Sequence, residues 1–245
     1  MPIFTLDGQN IPFEPGQTIM EAAMAAGVYI PHLCWYPEYE PHGSCKLCSV
    51  KVNGRLCSAC TFPAAEGQEV VLNSEELQQL RLRLTQMLFV EGNHFCPYCE
   101  KSGQCELQAL GYYVGMTDNH FPHFFPKREI DASHPDVLLD RDRCIFCGLC
   151  VRASRDEGKH VFELAGRGTE TRLIVNSATG KLGDSELEAG DRAAHICPVG
   201  AIVVKETAFR VPIGRRKYDH RTIAEMSLEE EAPLVRRRHD AKEEG

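Results

Sequence analysis

The sequence predicts an α+β fold made of three successive segments that each carry cysteines. Short apolar stretches separated by tight turns occupy the first part of the chain, together with one capped helix. A leucine-periodic helix follows, and the twelve cysteines fall into three groups with cysteine-free stretches between them. We expect domains at residues 1–78, 79–119 and 137–210, a linker at 120–136 and a tail at 211–245.

The first segment has the pattern of a sheet crossed by one helix. The stretch "IFTLDGQNIPF" predicts a hairpin around Asp7-Gly8, "SVKVNGRLCSACTF" predicts a second hairpin around Asn53-Gly54, and "EVVLN" predicts a closing strand. Thr18 and Glu21 form a capping box before a helix that Gly27 ends. That helix should bury one face against the sheet, through Ile19, Ala22, Ala23 and Ala26.

Composition and charge exclude several classes of function. The formal net charge is −8, which disfavours nucleic acid as a partner. No run of 18 apolar residues is present, so no membrane span is expected. The start "MPIFTLDGQN" has no signal-peptide pattern, which indicates the cytoplasm. Thiols stay reduced in that compartment, so the twelve cysteines indicate metal binding rather than disulfides.

The first cysteine group lies at spacing x10, x2, x11, in Cys34, Cys45, Cys48 and Cys60. It resembles the β-grasp ferredoxins, whose plant-type pattern is C-x4-C-x2-C with a distant fourth cysteine. Its longer first gap is similar to the N-terminal domain shared by the large iron–sulfur subunit of respiratory NADH dehydrogenase and iron-only hydrogenases. The resemblance implies a [2Fe-2S] cluster on these four residues. Cys57 is left over as a small buried side chain, or it could replace Cys60.

The second group of cysteines follows a predicted helix that Ser74 caps. The leucines of this helix recur at helical spacing, and this pattern predicts that Leu77, Leu80, Leu84 and Leu88 form a stripe in the core. Cys96, Cys99 and Cys105 supply only three thiolates, and His94 precedes them. The segment resembles the motif H-x3-C-x2-C-x5-C-x-L-Q of the same subunit family, although one residue rather than three separates the histidine from the first cysteine. The resemblance implies a [4Fe-4S] cluster on His94 and the three cysteines.

The remaining histidines are not interpreted as ligands. His120, His123 and His134 lie among Phe and Pro in a stretch that predicts an extended linker against a partner surface. His32 and His42 flank the first cysteine loop and could form hydrogen bonds near its sulfurs.

The third group begins as a bacterial ferredoxin motif, C-x2-C-x2-C-x3-C-P, in Cys144, Cys147 and Cys150. Ser154 occupies the fourth position, and the missing Cys-Pro pair occurs far downstream at Cys197. The fourth cysteine of each run ligates the other cluster in two-cluster ferredoxins. We therefore expect one [4Fe-4S] cluster on these four cysteines and a second cluster that has been lost. The slots nine, six and three residues before Cys197 agree, since they hold Glu188, Asp191 and Ala194.

The three groups together predict a relay for single electrons. The sequence offers no persuasive nucleophile–base pair, no Walker loop and no flavin or nicotinamide fingerprint, and Gly166-Arg167-Gly168 is interpreted as a turn. Zinc is the chemical alternative, but three cysteines at overlapping C-x2-C spacing favour a cuboidal cluster over one tetrahedral ion.

The order of the three motifs resembles the small diaphorase subunits of cytoplasmic NAD-reducing nickel–iron hydrogenases. The resemblance implies that FMN and NAD bind a partner subunit, and that the chain also contacts the small and large subunits of a nickel–iron hydrogenase. It implies no catalytic site on this chain. An NAD-linked formate dehydrogenase, a complex I-like enzyme and a free-standing ferredoxin shuttle remain as alternatives.

Overall fold

A five-stranded mixed sheet forms the first part of the protein, which a computed structural model describes over residues 1–243. Its strands are β1 (Ile3–Leu6), β2 (Gln9–Pro12), β3 (Ser49–Val52), β4 (Arg55–Ser58) and β5 (Glu69–Val71). The order is β2-β1-β5-β3-β4, in which β1 and β5 run parallel and the other pairs antiparallel. Both predicted hairpins and the closing strand are confirmed.

Helix α1 (Ile19–Ala25) packs on this sheet, and its capping box is present as predicted. The Glu21 carboxylate accepts from the Thr18 amide at 2.8 Å, and the Thr18 hydroxyl accepts from the Glu21 amide at 3.2 Å. The helix buries Ile19, Ala22 and Ala23, but the prediction for Ala26 is wrong, since the chain turns outward at this C-cap residue.

Helix α2 (Glu75–Glu91) starts at the predicted cap, where Ser74 accepts from the Leu77 amide. Its leucine stripe is only partly a core stripe, because Leu77 is buried while the other three leucines are half-buried. The buried face instead includes Arg81, Thr85, Gln86 and Val90. Arg81 donates to the carbonyls of Leu47, Leu72 and Ser49 at 2.8–3.1 Å, so an arginine joins this helix to the sheet.

A short 3-10 helix (Cys96–Tyr98) and helix α3 (Glu106–Tyr113) form the next segment. The following residues have no regular element up to β6 (Ile130–Asp131), which lies inside the range predicted as a linker. Strand β6 pairs with β7 (Val137–Asp140), and β7 pairs with β10 (Ile202–Val204), giving a three-stranded antiparallel sheet.

Between β7 and β10 the chain forms helix α4 (Leu149–Asp156), the hairpin β8 (Phe162–Ala165) and β9 (Arg172–Val175), and helix α5 (Arg192–His195). The Gly166–Gly168 stretch connects β8 to β9, which confirms its interpretation as a turn. Short 3-10 helices occupy Arg141–Arg143, Gly168–Glu170 and Leu182–Asp184.

Helix α6 (Ile223–Glu230) packs against α3, and helix α7 (Ala232–Glu243) returns to the first domain and packs against α1. Glu231 between them accepts from Nε2 of His32 at 2.9 Å, and both side chains are buried. Burial alone would lower the pKa of His32, but the Glu231 carboxylate raises it from 6.5 to about 9. Among residues 1–243 no helix has the length and apolarity to cross a membrane.

Candidate metal centres

The first cysteine set lies where the loop after α1 meets the β3–β4 hairpin. Cys34, Cys48 and Cys60 are buried and Cys45 is half-buried. The Cys45 amide donates to the Cys34 sulfur at 3.5 Å, and the sulfurs of Cys48 and Cys60 are 3.4 Å apart. A hydrogen bond from the Cys45 thiol lowers the pKa of Cys34, which favours the thiolate form that metal binding requires.

The position of Cys57 differs from that of Cys60. Cys57 lies on β4 opposite Val50 and is half-buried, whereas the Cys60 sulfur meets that of Cys48. This geometry favours Cys60 as the fourth ligand. The suggestion that His32 could bond near these sulfurs is wrong, because its two ring nitrogens contact the Ile30 carbonyl and Glu231.

The second set surrounds a cavity beneath α2, lined by His94 and by Cys96, Cys99 and Cys105. The Nε2 atom of His94 is buried and has no hydrogen-bond partner among the described residues. A buried polar atom without a partner costs free energy unless something absent from the protein chain satisfies it. Burial, assisted by the charge of Arg143, lowers the pKa of His94 to about 4, so the ring is neutral at physiological pH. A histidine must be neutral to bind a metal through its ring nitrogen, and His94 meets that requirement.

The residues after this cysteine run fix its turn. Gln108 accepts from the Gly103 amide at 2.7 Å, and Leu107 is fully buried. Gly200 lies against the same loop from the third domain, where an added Cβ would come within 2.8 Å of the Cys99 sulfur. The close approach explains a glycine at this position.

The other histidines of the Phe/Pro stretch, His120, His123 and His134, do not line the cavity of the second set. The His123 ring stacks on Phe95 at 6.2 Å between centroids, and His120 packs edge-on against Phe121. His134 is buried and bonds the Leu187 carbonyl at 2.8 Å, so it supports the third domain itself.

The third set lines one apolar cavity with its four cysteines, Cys144, Cys147, Cys150 and Cys197, all of them buried. Burial raises the pKa of Cys144 to about 12 and that of Cys147 and Cys150 well above its ordinary value. These thiols would ionise readily only with a cation bound among them. Phe146, at a φ of 53°, directs its amide at the Cys144 sulfur, 3.4 Å away.

The positions that the sequence pattern assigned to a lost second cluster make contacts within the protein. Ser154 is fully buried, donates to the Val151 carbonyl at 3.2 Å and accepts from the Phe162 amide at 3.3 Å. Asp191 pairs with Lys159 at 2.8 Å. Hydrogen bonds at Ser154 and an ion pair at Asp191 therefore occupy these positions.

Two arginines near the cysteines were not foreseen from the sequence. Arg152 donates to the carbonyls of Cys34 and Cys147, and Arg143 contacts the Cys99 sulfur at 3.7 Å. Both arginines lie within two residues of the motif formed by Cys144, Cys147 and Cys150. The motif specifies the positions of its cysteines but not of any arginine, so the sequence offered no reason to select them.

The donor sets fit iron–sulfur clusters. Among residues 1–238, whose side chains the structure describes, no three or more His, Cys, Asp or Glu side chains are grouped closely enough for a single metal ion. The second and third sets instead line cavities, and each offers four soft or imidazole donors. The unpartnered His94 nitrogen belongs to one of these sets.

Three family models match the chain in the order of the cysteine sets. Residues 3–75 match a 2Fe-2S iron-sulfur cluster binding domain, and residues 81–120 match the iron-sulfur binding region of NADH-ubiquinone oxidoreductase G. Residues 137–204 match a 4Fe-4S single cluster domain. The chain thus combines a 2Fe-2S domain with 4Fe-4S domains in a mixed α+β fold.

Several relatives share most of this chain. The gamma subunit of NAD-reducing hydrogenase HoxS from Cupriavidus necator is 43% identical over 235 residues, covering 93% of this chain and 97% of its own. The 78 kDa subunit of mitochondrial NADH-ubiquinone oxidoreductase from Candida albicans is 33% identical, but the match covers only 29% of that protein. The alpha subunit of NADPH-Fe(3+) oxidoreductase from Geobacter sulfurreducens is 31% identical over 25% of its length.

A solved structure extends these likenesses to three dimensions. A chain in the crystal structure of an NAD+-reducing [NiFe]-hydrogenase in the H2-reduced state is 58% identical and superposes with a TM-score of 0.92. The superposition covers 94% of this chain and 98% of that one. The protein described here belongs to the family of gamma subunits of NAD-reducing hydrogenases.

Proposed function

We propose that this chain relays single electrons within an NAD-reducing hydrogenase, through one [2Fe-2S] and two [4Fe-4S] clusters. The [2Fe-2S] cluster binds Cys34, Cys45, Cys48 and Cys60, and the [4Fe-4S] clusters bind His94, Cys96, Cys99 and Cys105, and Cys144, Cys147, Cys150 and Cys197. Bound clusters of these types accept and release one electron at a time.

The observation that carries the proposal is the central position of the third cysteine set. Arg152 joins its loop to that of the first set, through the carbonyls of Cys147 and Cys34. On the other side, the Glu106 amide next to Cys105 donates to the Pro198 carbonyl at 2.9 Å. Contacts therefore link the three ligand sets in series, with the Cys144 set in the middle.

Main-chain amides, apolar side chains and a neutral histidine make the three sites suitable for binding clusters. Main-chain amides of Cys45 and Phe146 donate to ligand sulfurs, which stabilises negative charge there. Apolar side chains around the third set exclude water. His94, held neutral by burial, supplies a nitrogen where the other sites supply sulfur.

The proposed partners follow from the relatives. The relay connects a subunit that binds flavin and NAD to the small and large subunits of a nickel–iron hydrogenase, in the cytoplasm. Homology over nearly the full length of a hydrogenase gamma subunit supports this assignment over a complex I-like enzyme, whose subunits match over 23–29% of their length.

Metal analysis of the purified full chain tests the cofactor content. We expect about ten irons and ten sulfides per chain and electron paramagnetic resonance (EPR) signals from more than one centre after anaerobic reduction. About six irons with no signal from the Cys144 set would contradict its assignment, and stoichiometric zinc would contradict the whole proposal.

Isolation of the native complex tests the partners. The chain should co-purify with a flavoprotein and a hydrogenase dimer, and alone it should oxidise neither hydrogen nor NADH. Co-purification with a formate dehydrogenase, or elution as a single free chain, would favour the corresponding alternative.

A further inference from the structure

Arg152 lies where the first and third cysteine sets meet. It is half-buried in α4, two residues after Cys150. Its Nη2 donates to the Cys34 carbonyl at 2.7 Å and to the Cys147 carbonyl at 3.0 Å. Its other nitrogens donate to the carbonyls of Gly148 at 3.1 Å and Glu40 at 2.7 Å. One guanidinium thus fastens together the ligand loops of two proposed clusters.

The charge of Arg152 is balanced differently from that of its neighbours. Its four hydrogen bonds all go to main-chain carbonyls, and no ion pair within the described residues includes it. A half-buried cation is stable when an opposite charge is close.

The two clusters would supply that opposite charge. A cluster held by four thiolates carries a net charge of about −2 when oxidised and about −3 when reduced, so an adjacent cation stabilises the reduced form more. The same cation adjoins both sites, so it should act on both of them.

Two other arginines provide an internal comparison. Arg143 contacts the Cys99 sulfur, but the carboxylates of Asp140 and Glu100 neutralise its charge. Arg155 lies three residues beyond Arg152 on α4, where it is exposed and pairs with Glu163 at 3.4 Å. Arg152 combines proximity to two ligand sets with the lack of a carboxylate partner.

We propose that Arg152 is a positioning residue for electron transfer between the [2Fe-2S] cluster and the central [4Fe-4S] cluster. Its fork of donors holds the Cys34 and Cys147 loops at a fixed separation, and its charge raises the midpoint potential of both clusters. The inference rests on the proposed function, because it requires clusters at both sites.

The test uses the full-length chain with reconstituted clusters, titrated anaerobically and followed by EPR. The variants are Arg152→Gln, which removes the charge, Arg152→Lys, which keeps the charge but not the fork, and Arg155→Gln as the control. When the solution is held at the wild-type midpoint potential, Arg152→Gln should lower the ratio of reduced to oxidised cluster up to tenfold at both sites. A tenfold change corresponds to a fall of about 59 mV in the midpoint potential of a one-electron couple. Arg155→Gln, whose charge is screened by water, should cause a smaller change.

The lysine variant separates charge from geometry. Arg152→Lys should keep both potentials nearer to the wild-type values, while the magnetic coupling between the two reduced clusters weakens because the loops are no longer clamped. If Arg152→Gln fails to fold, Arg152→Lys decides the question, because unchanged magnetic coupling in that variant would overturn the positioning role.

The outcomes are distinguishable. A wild-type chain without both cluster signals would overturn the proposed function, and this inference with it. A wild-type chain with both signals would overturn the inference alone in either of two cases. In the first, Arg152→Gln moves neither potential or only one; in the second, it moves them no more than Arg155→Gln does.

Discussion

Replacing Glu231 with alanine should weaken the packing of α6 and α7 against α3 and α1. The Glu231 carboxylate forms the buried pair with His32. Against the opposing effect of burial, it is the main cause of the rise in the pKa of His32 from 6.5 to about 9, which stabilises the folded state while His32 is protonated. A rise of that size corresponds to about 3 kcal/mol. Local opening of α6 and α7 should therefore become about a hundredfold more frequent in the variant.

Hydrogen–deuterium exchange followed by mass spectrometry measures this opening directly. Peptides from residues 223–238 should exchange about a hundredfold faster in Glu231→Ala, while peptides from β7 and β10 should not change. Glu230→Ala is the matched control, because Glu230 is the preceding residue but makes only an exposed pair with Lys217. Exposed pairs contribute at most about 1 kcal/mol.

The pair also predicts a pH dependence. The folded-state pKa of His32 lies above its unfolded value, so the contribution of the pair is complete below about pH 6.5 and is lost as the pH rises through about 9. After correction for intrinsic exchange rates, protection of residues 223–238 should fall over that interval in the wild type but not in Glu231→Ala. Equal effects of Glu231→Ala and Glu230→Ala would refute the reasoning.

The remaining predictions concern the ligand sets. His94→Ala should lose iron from the second site in air. His94→Cys should keep four irons there but lower the midpoint potential of the cluster, because a thiolate adds negative charge. Unchanged iron content and potential in His94→Ala would show that another residue is the ligand. Cys60→Ala should abolish the two-iron EPR signal and Cys57→Ala should preserve it, and the reverse result would exchange their roles. Gly200→Ala should displace Cys99 at a cost of about 1–3 kcal/mol and perturb the EPR signal of the second site. An unaltered spectrum in that variant would show that the contact is not tight.

Local patterns in the sequence predicted local structure well. The two hairpins depend on Asp7-Gly8 and Asn53-Gly54, whose glycines adopt φ values of 83° and 81°, and such turns are encoded in neighbouring residues. The α1 capping box is equally local. The ferredoxin motif also predicted one contact between distant parts of the chain. It assigned Cys150 and Cys197 to the same site, and both residues line the same cavity in the structure.

Burial by distant segments was not predictable in the same way. The half-exposed leucines of α2 and the buried Arg81 depend on which carbonyls of β3 and its neighbours face the helix. The outward turn at Ala26 follows from where α1 ends. Arg152 lies 118 positions from Cys34 in the chain, and no local pattern indicates a contact over that separation.

The packing of α7 on α1 also has a consequence for the order in which the protein is made. Roughly 200 residues separate the two helices, and a ribosome adding about 5–20 residues per second needs about 10–40 s to produce them. During that interval the α1 surface that α7 covers is still open, and Arg236 and Arg238 have not yet reached the Ala25 carbonyl and Glu21. The amino-terminal domain of the nascent chain thus stays incompletely packed until α7 emerges, and until then its cysteine loop lacks the contacts of Arg238 with the Pro37 carbonyl and Glu40.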